Sequence, residues 1–309
     1  MDNSNSKYDE GNRIHSVIVF LCTPRCGTQW FGKNLSELYS DSAIVLHEPL
    51  GNHYDLKNNL GRFNGSPGKT VNQIDNPAIS KHFDFIEEVT QQMNYIEIGW
   101  PGIAGVSAFH RRFGDRLKLV HLYRNPVYVA ASLVTHNWYT GRLQERFEKA
   151  ELNPFDDAAF LKEYKNRWED LNFFEKSLYY WTEINLRALE IKYRYPGTPF
   201  YGLRFEDLFD QEKEKSRITL MEFLSFMGLP FEDKMMEALD VRYDNYQSRS
   251  VYTIDWKDIF GHPQTVALAN RLGYRFDKEI DLSRYKKRRP FKRFYLKMRT
   301  LLNGSVGGM

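Results

Sequence analysis

Residues 16–22 form an unbroken apolar run, Ser-Val-Ile-Val-Phe-Leu-Cys, that stops at Thr23-Pro24-Arg25-Cys26-Gly27-Thr28. A β-branched run without polar alternation fits a strand buried on both faces, the environment of a parallel sheet. Beyond the break, Phe31, Leu35 and Leu38 recur at helical spacing. Strand, short polar loop and helix follow one another directly, and a loop of this kind is a phosphate cradle. Backbone N–H groups at a helix start converge on one point, and the helix dipole favours an anion there. Gly27 admits close approach of the backbone, Arg25 adds a guanidinium suited to phosphate or sulfate, and Thr28 adds a hydroxyl. An ordinary strand–helix turn with a surface arginine is the plain alternative for the loop taken alone.

The rest of the chain repeats the alternation. Residues 43–46, 95–98, 117–123 and 200–205 read as further strands. Asn125-Pro126 reads as an N-cap followed by proline at N1, opening a helix that runs to Val134. Trp168, Leu171, Phe174, Leu178 and Trp181 predict a helix over 166–193. Residues 218–227 predict another, stopped by Gly228 and Pro230, and 263–272 a shorter one stopped by Gly273. Alternating strands and helices predict a three-layer α/β/α fold around a central, mostly parallel sheet. Its nucleotide site is P-loop-like. The expected organisation is a disordered start over 1–15, one domain over 16–283 and a basic tail over 284–309. Residues 51–80 carry no clear period and read as a lid or a binding loop, and residues 139–157, mixed and charged, read as another.

The loop is not a Walker A motif, because no lysine follows Gly27 at the required distance. Gly68-Lys69-Thr70 supplies the tail of such a motif, but Phe63 stands where its first glycine belongs. A second anion anchor is Arg124, at the end of the strand over 117–123, with Ser132 two helical turns further on. Ligands of open α/β sheets bind at that edge. The plain alternative pairs Arg124 with a surface acid and leaves Ser132 a small packing residue.

The two anchors in this order resemble the family of sulfotransferases that use 3′-phosphoadenosine 5′-phosphosulfate (PAPS). Thr23-Pro24-Arg25-Cys26-Gly27-Thr28-Gln29-Trp30 is similar to that family's 5′-phosphosulfate loop, with Cys26 where serine is usual and Gln29 where a second threonine is usual. Residues 122–133, with Arg124 and Ser132, are similar to its 3′-phosphate motif. Leu203-Arg204-Phe205-Glu206-Asp207-Leu208 resembles its Tyr-Glu-Asp-Leu strand end, with Phe205 for tyrosine. Asn270-Arg271-Leu272-Gly273-Tyr274 resembles its C-terminal nucleotide-contacting segment. The resemblance implies sulfuryl transfer from PAPS to a hydroxyl with release of adenosine 3′,5′-bisphosphate (PAP) and no metal. Nucleotide contacts carried over are Arg25, Cys26, Gly27, Thr28, Gln29, Trp30, Arg124, Ser132, Arg271 and Tyr274.

Members with a histidine base carry Lys-Thr-His where this chain has Glu97-Ile98-Gly99-Trp100-Pro101. Carbohydrate-type members carry Glu-Pro after the second strand, and here Leu46-His47-Glu48-Pro49 stands there. That likeness implies Glu48 as base, with Arg25 stabilising the leaving phosphate and a carbohydrate or glycolipid as acceptor. Glu97, His47 and His53 are its rivals as base. His47, His53, Glu97, Trp100 and Trp138 are also the candidate acceptor contacts, with Tyr139 beside Trp138 as a pocket-lining aromatic. His121, inside an apolar strand, reads as a satisfied core histidine. A kinase using ATP and a silent PAP-binding scaffold are the alternatives to transfer.

Charge and targeting signals place the remaining expectations. Net charge is only +3, so the chain as a whole does not read as a nucleic-acid binder. Residues 284–299 hold nine lysines and arginines among aromatics, either a solvated helix or a peripheral contact to an anionic membrane surface or acidic glycan. Two cysteines make no disulfide framework or zinc site, and no basic-then-apolar leader opens the sequence. A cytoplasmic location is expected.

Overall fold

The computed structural model describes residues 15–52, 77–142, 151–241 and 252–285. Five strands form one sheet: β1 (Val17–Leu21), β2 (Ala43–His47), β3 (Asn94–Ile98), β4 (Leu117–Tyr123) and β5 (Phe200–Arg204). Their spatial order is β2-β3-β1-β4-β5, and every neighbouring pair is parallel. The apolar run at the start of the chain occupies the central position. All five β1 residues are buried, whereas the edge strands β2 and β5 are mostly half-exposed. Helices cover both faces, giving the three-layer α/β/α arrangement.

In chain order the described helices are α1 (Thr28–Leu38), α2 (Pro49–Asn52), α3 (Pro77–Val89), α4 (Gly102–Phe113), α5 (Pro126–Thr135), α6 (Phe173–Arg194), α7 (Phe205–Leu208), α8 (Lys213–Met227), α9 (Asp233–Ala238) and α10 (Pro263–Arg271). Asn125 caps α5 by accepting from the Val127 N–H at 2.9 Å, and Pro126 needs no partner at N1. α6 opens with a capping box: the Asn172 side chain accepts from Glu175 N–H and the Glu175 carboxylate accepts from Asn172 N–H. This box corrects the helix expected over 166–193. Leu171 is extended and Lys162–Asp170 forms a 3-10 turn, so Trp168 lies outside the helix. The helices α3 and α4 and the short turns α2 and α9 were not read from the sequence. Most of residues 51–80 lies outside the described residues.

His121 of β4 is 2% exposed, and its Nε2 lies 2.8 Å from Asn185 Oδ1 on α6. The Asn185 amide nitrogen donates to the Trp181 carbonyl, so Oδ1 accepts and His121 Nε2 carries the proton. Burial holds the imidazole neutral and pushes its pKa from 6.5 down to about 4. The unfolded chain takes up this proton as pH falls through 6.5 and the folded chain takes it up only near 4. The neutral histidine's share of stability is therefore intact above 6.5 and declines below it. The expected loss between these values is about 3 kcal/mol. Urea unfolding of wild type and His121→Gln across this range should show the variant's curve flatter by that amount. Parallel curves would mean that His121 titrates normally in the fold.

Candidate active site

Parallel strands point their C-terminal ends the same way, so the turns after β1, β2, β4 and β5 open at one edge of the sheet. The turn after β1 is held in an unusual backbone path. Arg25 has φ +71° and Gly27 has φ +89°. Thr23 Oγ1 and Cys26 Sγ lie 2.9 Å apart, which turns Cys26 into the core. Burial pushes its thiol up to about 11, so Cys26 stays protonated and packs as a small hydrophobe. α1 begins directly after Gly27 with no side-chain cap on its first turn. An ideal Cβ at Gly27 would sit 2.6 Å from Phe205 Cε2, so glycine is required both for its φ and for this approach.

Two guanidinium groups are clamped beside this loop. Arg25 Nε donates to Ser132 Oγ at 2.9 Å, and Arg124 Nη1 donates to the Arg25 carbonyl at 3.1 Å. Arg124 also lies over the Phe205 ring, 4.5 Å from its centre. The Ser132 hydroxyl, read from the sequence as part of the Arg124 anchor, here accepts from Arg25. The Arg124 Nε is buried with no hydrogen-bond partner among the described residues, a donor whose burial costs free energy until something accepts from it.

The short turn α7 ties these parts together. Its Phe205 ring lies between Gly27 and Arg124. Glu206 Oε1 accepts from the Asn125 N–H at 2.9 Å, and Oε2 accepts from the Tyr274 hydroxyl at 2.8 Å. Burial and the Glu206 carboxylate hold Tyr274 well above the ordinary tyrosine range, so it remains a donor. Asp207 pairs with Arg204, which also donates to the Gly273 carbonyl at 3.0 Å. Tyr274 is therefore built into the support beneath the anion loop, while Arg271 is exposed at the end of α10. Neither lines the cavity described next.

A cavity of about 530 Å³ opens at the sheet edge. Arg25, Gly27, Thr28, Gln29 and Trp30 form one wall, His47 and Glu48 another, and Arg124 and Phe205 a third. Phe205 stacks on Phe209 with ring centres 4.4 Å apart, and Phe209 meets Trp30 edge-on at 5.1 Å. Glu48 has φ +51°, uncommon for a residue with a side chain. Its N–H donates to the Ile98 carbonyl at 2.8 Å, and Gly99 leaves room for it: an ideal Cβ there would lie 2.5 Å from Glu48 Cγ. His47 Nε2 lies 3.1 Å from Thr28 Oγ1 and 3.8 Å from Glu48 Oε1.

Several other expected site residues stand apart from this cavity. Glu97 is 1% exposed; its Oε2 accepts from the Tyr95 hydroxyl at 3.2 Å and lies 3.8 Å from His82 Nε2 of α3. Burial raises its pKa, and it does not face the cavity. Trp100 and Trp138 are buried against each other with ring centres 6.5 Å apart, and Trp138 also meets Tyr180 at 4.9 Å. His53 lies outside the described residues. Sequence reasoning missed Phe209, Leu239, Asp240, Val241 and Arg284, all of which line the cavity. Arg284 had a visible signal, since it opens the basic stretch assigned to a tail. The rest of that stretch, from residue 286, lies outside the described residues. Among the described residues, no helix is long and apolar enough to cross a membrane, and no group of three or more His, Cys, Asp or Glu could hold a metal ion.

Gly27→Ala should close the loop to anions by forcing Phe205 and the loop apart. Inorganic phosphate or sulfate should raise the melting temperature of wild type and leave that of Gly27→Ala unmoved, with the two circular dichroism spectra alike. An equal rise in both proteins would remove the loop from anion binding.

Comparison with known proteins follows the same line. The chain matches the family model described as a sulfotransferase domain over residues 16–253. No curated protein matches it by sequence. Among solved structures it is similar to the sulfotransferase domain from the curacin biosynthetic pathway, at 16% identity and a TM-score of 0.49, covering 86% of this chain and 100% of that one. It is also similar to the sulfotransferase domain of the Synechococcus PCC 7002 olefin synthase, at 15% identity and a TM-score of 0.42, covering 87% of this chain and 98% of that one. The family match takes in the anion loop, Glu48, the Arg124 anchor and the Phe205 turn together, and the chain belongs to the sulfotransferase-domain family.

Proposed function

We propose that this chain transfers a sulfuryl group from PAPS to a hydroxyl of a carbohydrate or glycolipid acceptor and releases PAP. The observation that carries this reading is one cavity holding three arginines (Arg25, Arg124 and Arg284), an uncapped helix start, an aromatic flank and two carboxylates, Asp240 and, beside His47, Glu48. Two separated phosphate groups and a purine ring suit these features: cations and N–H donors for the phosphates, and Trp30, Phe205 and Phe209 for the ring. The unpartnered Arg124 Nε is the kind of donor that a nucleotide phosphate would satisfy.

In this reading the acceptor oxygen attacks sulfur while the bond from sulfur to the 5′-phosphate oxygen breaks. Arg25, fixed by Ser132, and the N–H groups at the start of α1 neutralise charge that builds on the leaving phosphate. Glu48 takes the proton of the attacking hydroxyl. Its backbone is held at the cavity rim by Ile98, and the space over Gly99 admits its Cβ and Cγ, which fixes where the side chain enters the cavity. The Glu-Pro step, shared with carbohydrate-type relatives, is what supports a sugar hydroxyl as acceptor.

Calorimetry with PAP, ADP and ATP·Mg on wild type, Arg124→Ala and Glu48→Gln tests the reading. Wild type should prefer PAP, Arg124→Ala should bind it at least tenfold more weakly, and Glu48→Gln should bind it as wild type does. Transfer by Glu48→Gln to a sugar acceptor should fall by on the order of 10²–10⁴. Preference for ATP·Mg would point to a kinase, and PAP binding without turnover on any acceptor to a scaffold.

A further inference from the structure

Replacement of the family's usual serine leaves the anion loop short of hydroxyls. Cys26 turns its sulfur away toward Thr23. Among the described residues lining the cavity, Thr28 carries the one hydroxyl. A hydroxyl has a single proton and two acceptor lone pairs. It attracts an anion only when that proton points at the anion, and it repels one when the proton is used elsewhere.

His47 decides which of these holds. It is the last residue of β2, paired in register with Ile98, and it packs on α1 where Gly32 gives it room: an ideal Cβ at Gly32 would lie 3.2 Å from His47 Cβ. Its Nε2 lies 3.1 Å from Thr28 Oγ1. If Nε2 were bare, it would take the Thr28 proton and turn oxygen lone pairs toward the bound phosphosulfate. If Nε2 carries hydrogen, it donates to Oγ1 and leaves the Thr28 proton to the cavity. The Glu48 carboxylate, with Oε1 3.8 Å from the same nitrogen, favours the second arrangement, because an ionised carboxylate stabilises an N–H and not a lone pair beside it.

We infer that His47 is a positioning residue for the sulfuryl donor: through its Nε2–H it holds the Thr28 hydroxyl so that the hydroxyl proton faces the 5′-phosphosulfate. This rests on the PAPS reading above and assigns His47 to the donor side of the reaction, leaving proton removal to Glu48. A hydrogen bond received from His47 also polarises the Thr28 hydroxyl and makes it the better donor.

A double-mutant cycle on PAP affinity, measured by calorimetry, tests this with wild type, Thr28→Val, His47→Ala and the double variant. Each single change should weaken PAP binding by about tenfold, and His47→Ala should cost almost nothing further once Thr28 is valine. His47→Gln should restore most of the affinity, since its amide nitrogen reaches the position of Nε2. His47→Asn, whose amide reaches only the Nδ1 position, should not. Equal effects of His47→Ala in both backgrounds, or no effect on PAP affinity, overturn the inference while leaving the PAPS reading intact. Wild type that binds no PAP overturns both. Unchanged circular dichroism in His47→Gln and His47→Asn separates loss of the contact from loss of the fold.

Discussion

Parallel pairing of β1 with β3 on one side and β4 on the other is the constraint on which the site depends. The register sets Leu21 beside His121 and His47 beside Ile98, with Tyr123 beside Arg204. Adjacent strands are about 4.8 Å apart. Arg25, four residues past Leu21, and Arg124, three past His121, therefore emerge as neighbours although the chain between them is long. Glu48, one residue past the end of β2, emerges on the same edge. No side chain has to search for this arrangement, because the hydrogen-bond ladder has already placed the backbone.

Bringing positive groups to one edge without a ligand has an electrostatic cost that falls with distance and with solvent. The structure offsets it with neutral partners. Ser132 accepts from Arg25, the Arg25 carbonyl accepts from Arg124, and the Phe205 ring face lies under Arg124. These neutral contacts hold the guanidinium groups in fixed positions. Backbone strain occurs in the same place. Arg25 and Glu48 both adopt positive φ, at roughly 1–2 kcal/mol each, and both lie on the cavity wall. The buried core around β1 supplies the stability that keeps them there.

The strands were the most legible part of the sequence. β4 was read with its observed bounds and the other four within a residue at either end, and the plainest signals were the long, mostly apolar runs of the interior strands β1 and β4. Helices carried by capping signals, such as α5, were equally legible. The 3-10 turn before α6 was not, since Trp168, Leu171 and Phe174 keep helical spacing across a break that only the Asn172–Glu175 box marks. In the site, the loop and Arg124 were visible as motifs, but the partner of Ser132 was not. Spacing along α5 places Ser132 near both arginines, and only the path of the loop decides which one reaches it. Leu239, Asp240 and Val241 enter the cavity from a segment with no motif of its own. They meet the loop through tertiary packing that local patterns do not encode.

Phe205 shows why the separated motifs act as one. With one edge it fills the space that the missing Cβ of Gly27 leaves open, and with one face it supports Arg124. Its neighbour Glu206 holds the Asn125 N–H at the start of α5 and the Tyr274 hydroxyl. The ring makes van der Waals and cation–π contacts only, so it fixes the spacing of the loop and Arg124 without taking a hydrogen bond from either. Arg124 also reaches the loop directly, through its Nη1 hydrogen bond to the Arg25 carbonyl at 3.1 Å. A ring in contact with both elements couples them, so a change at Phe205 reaches the loop and Arg124 together.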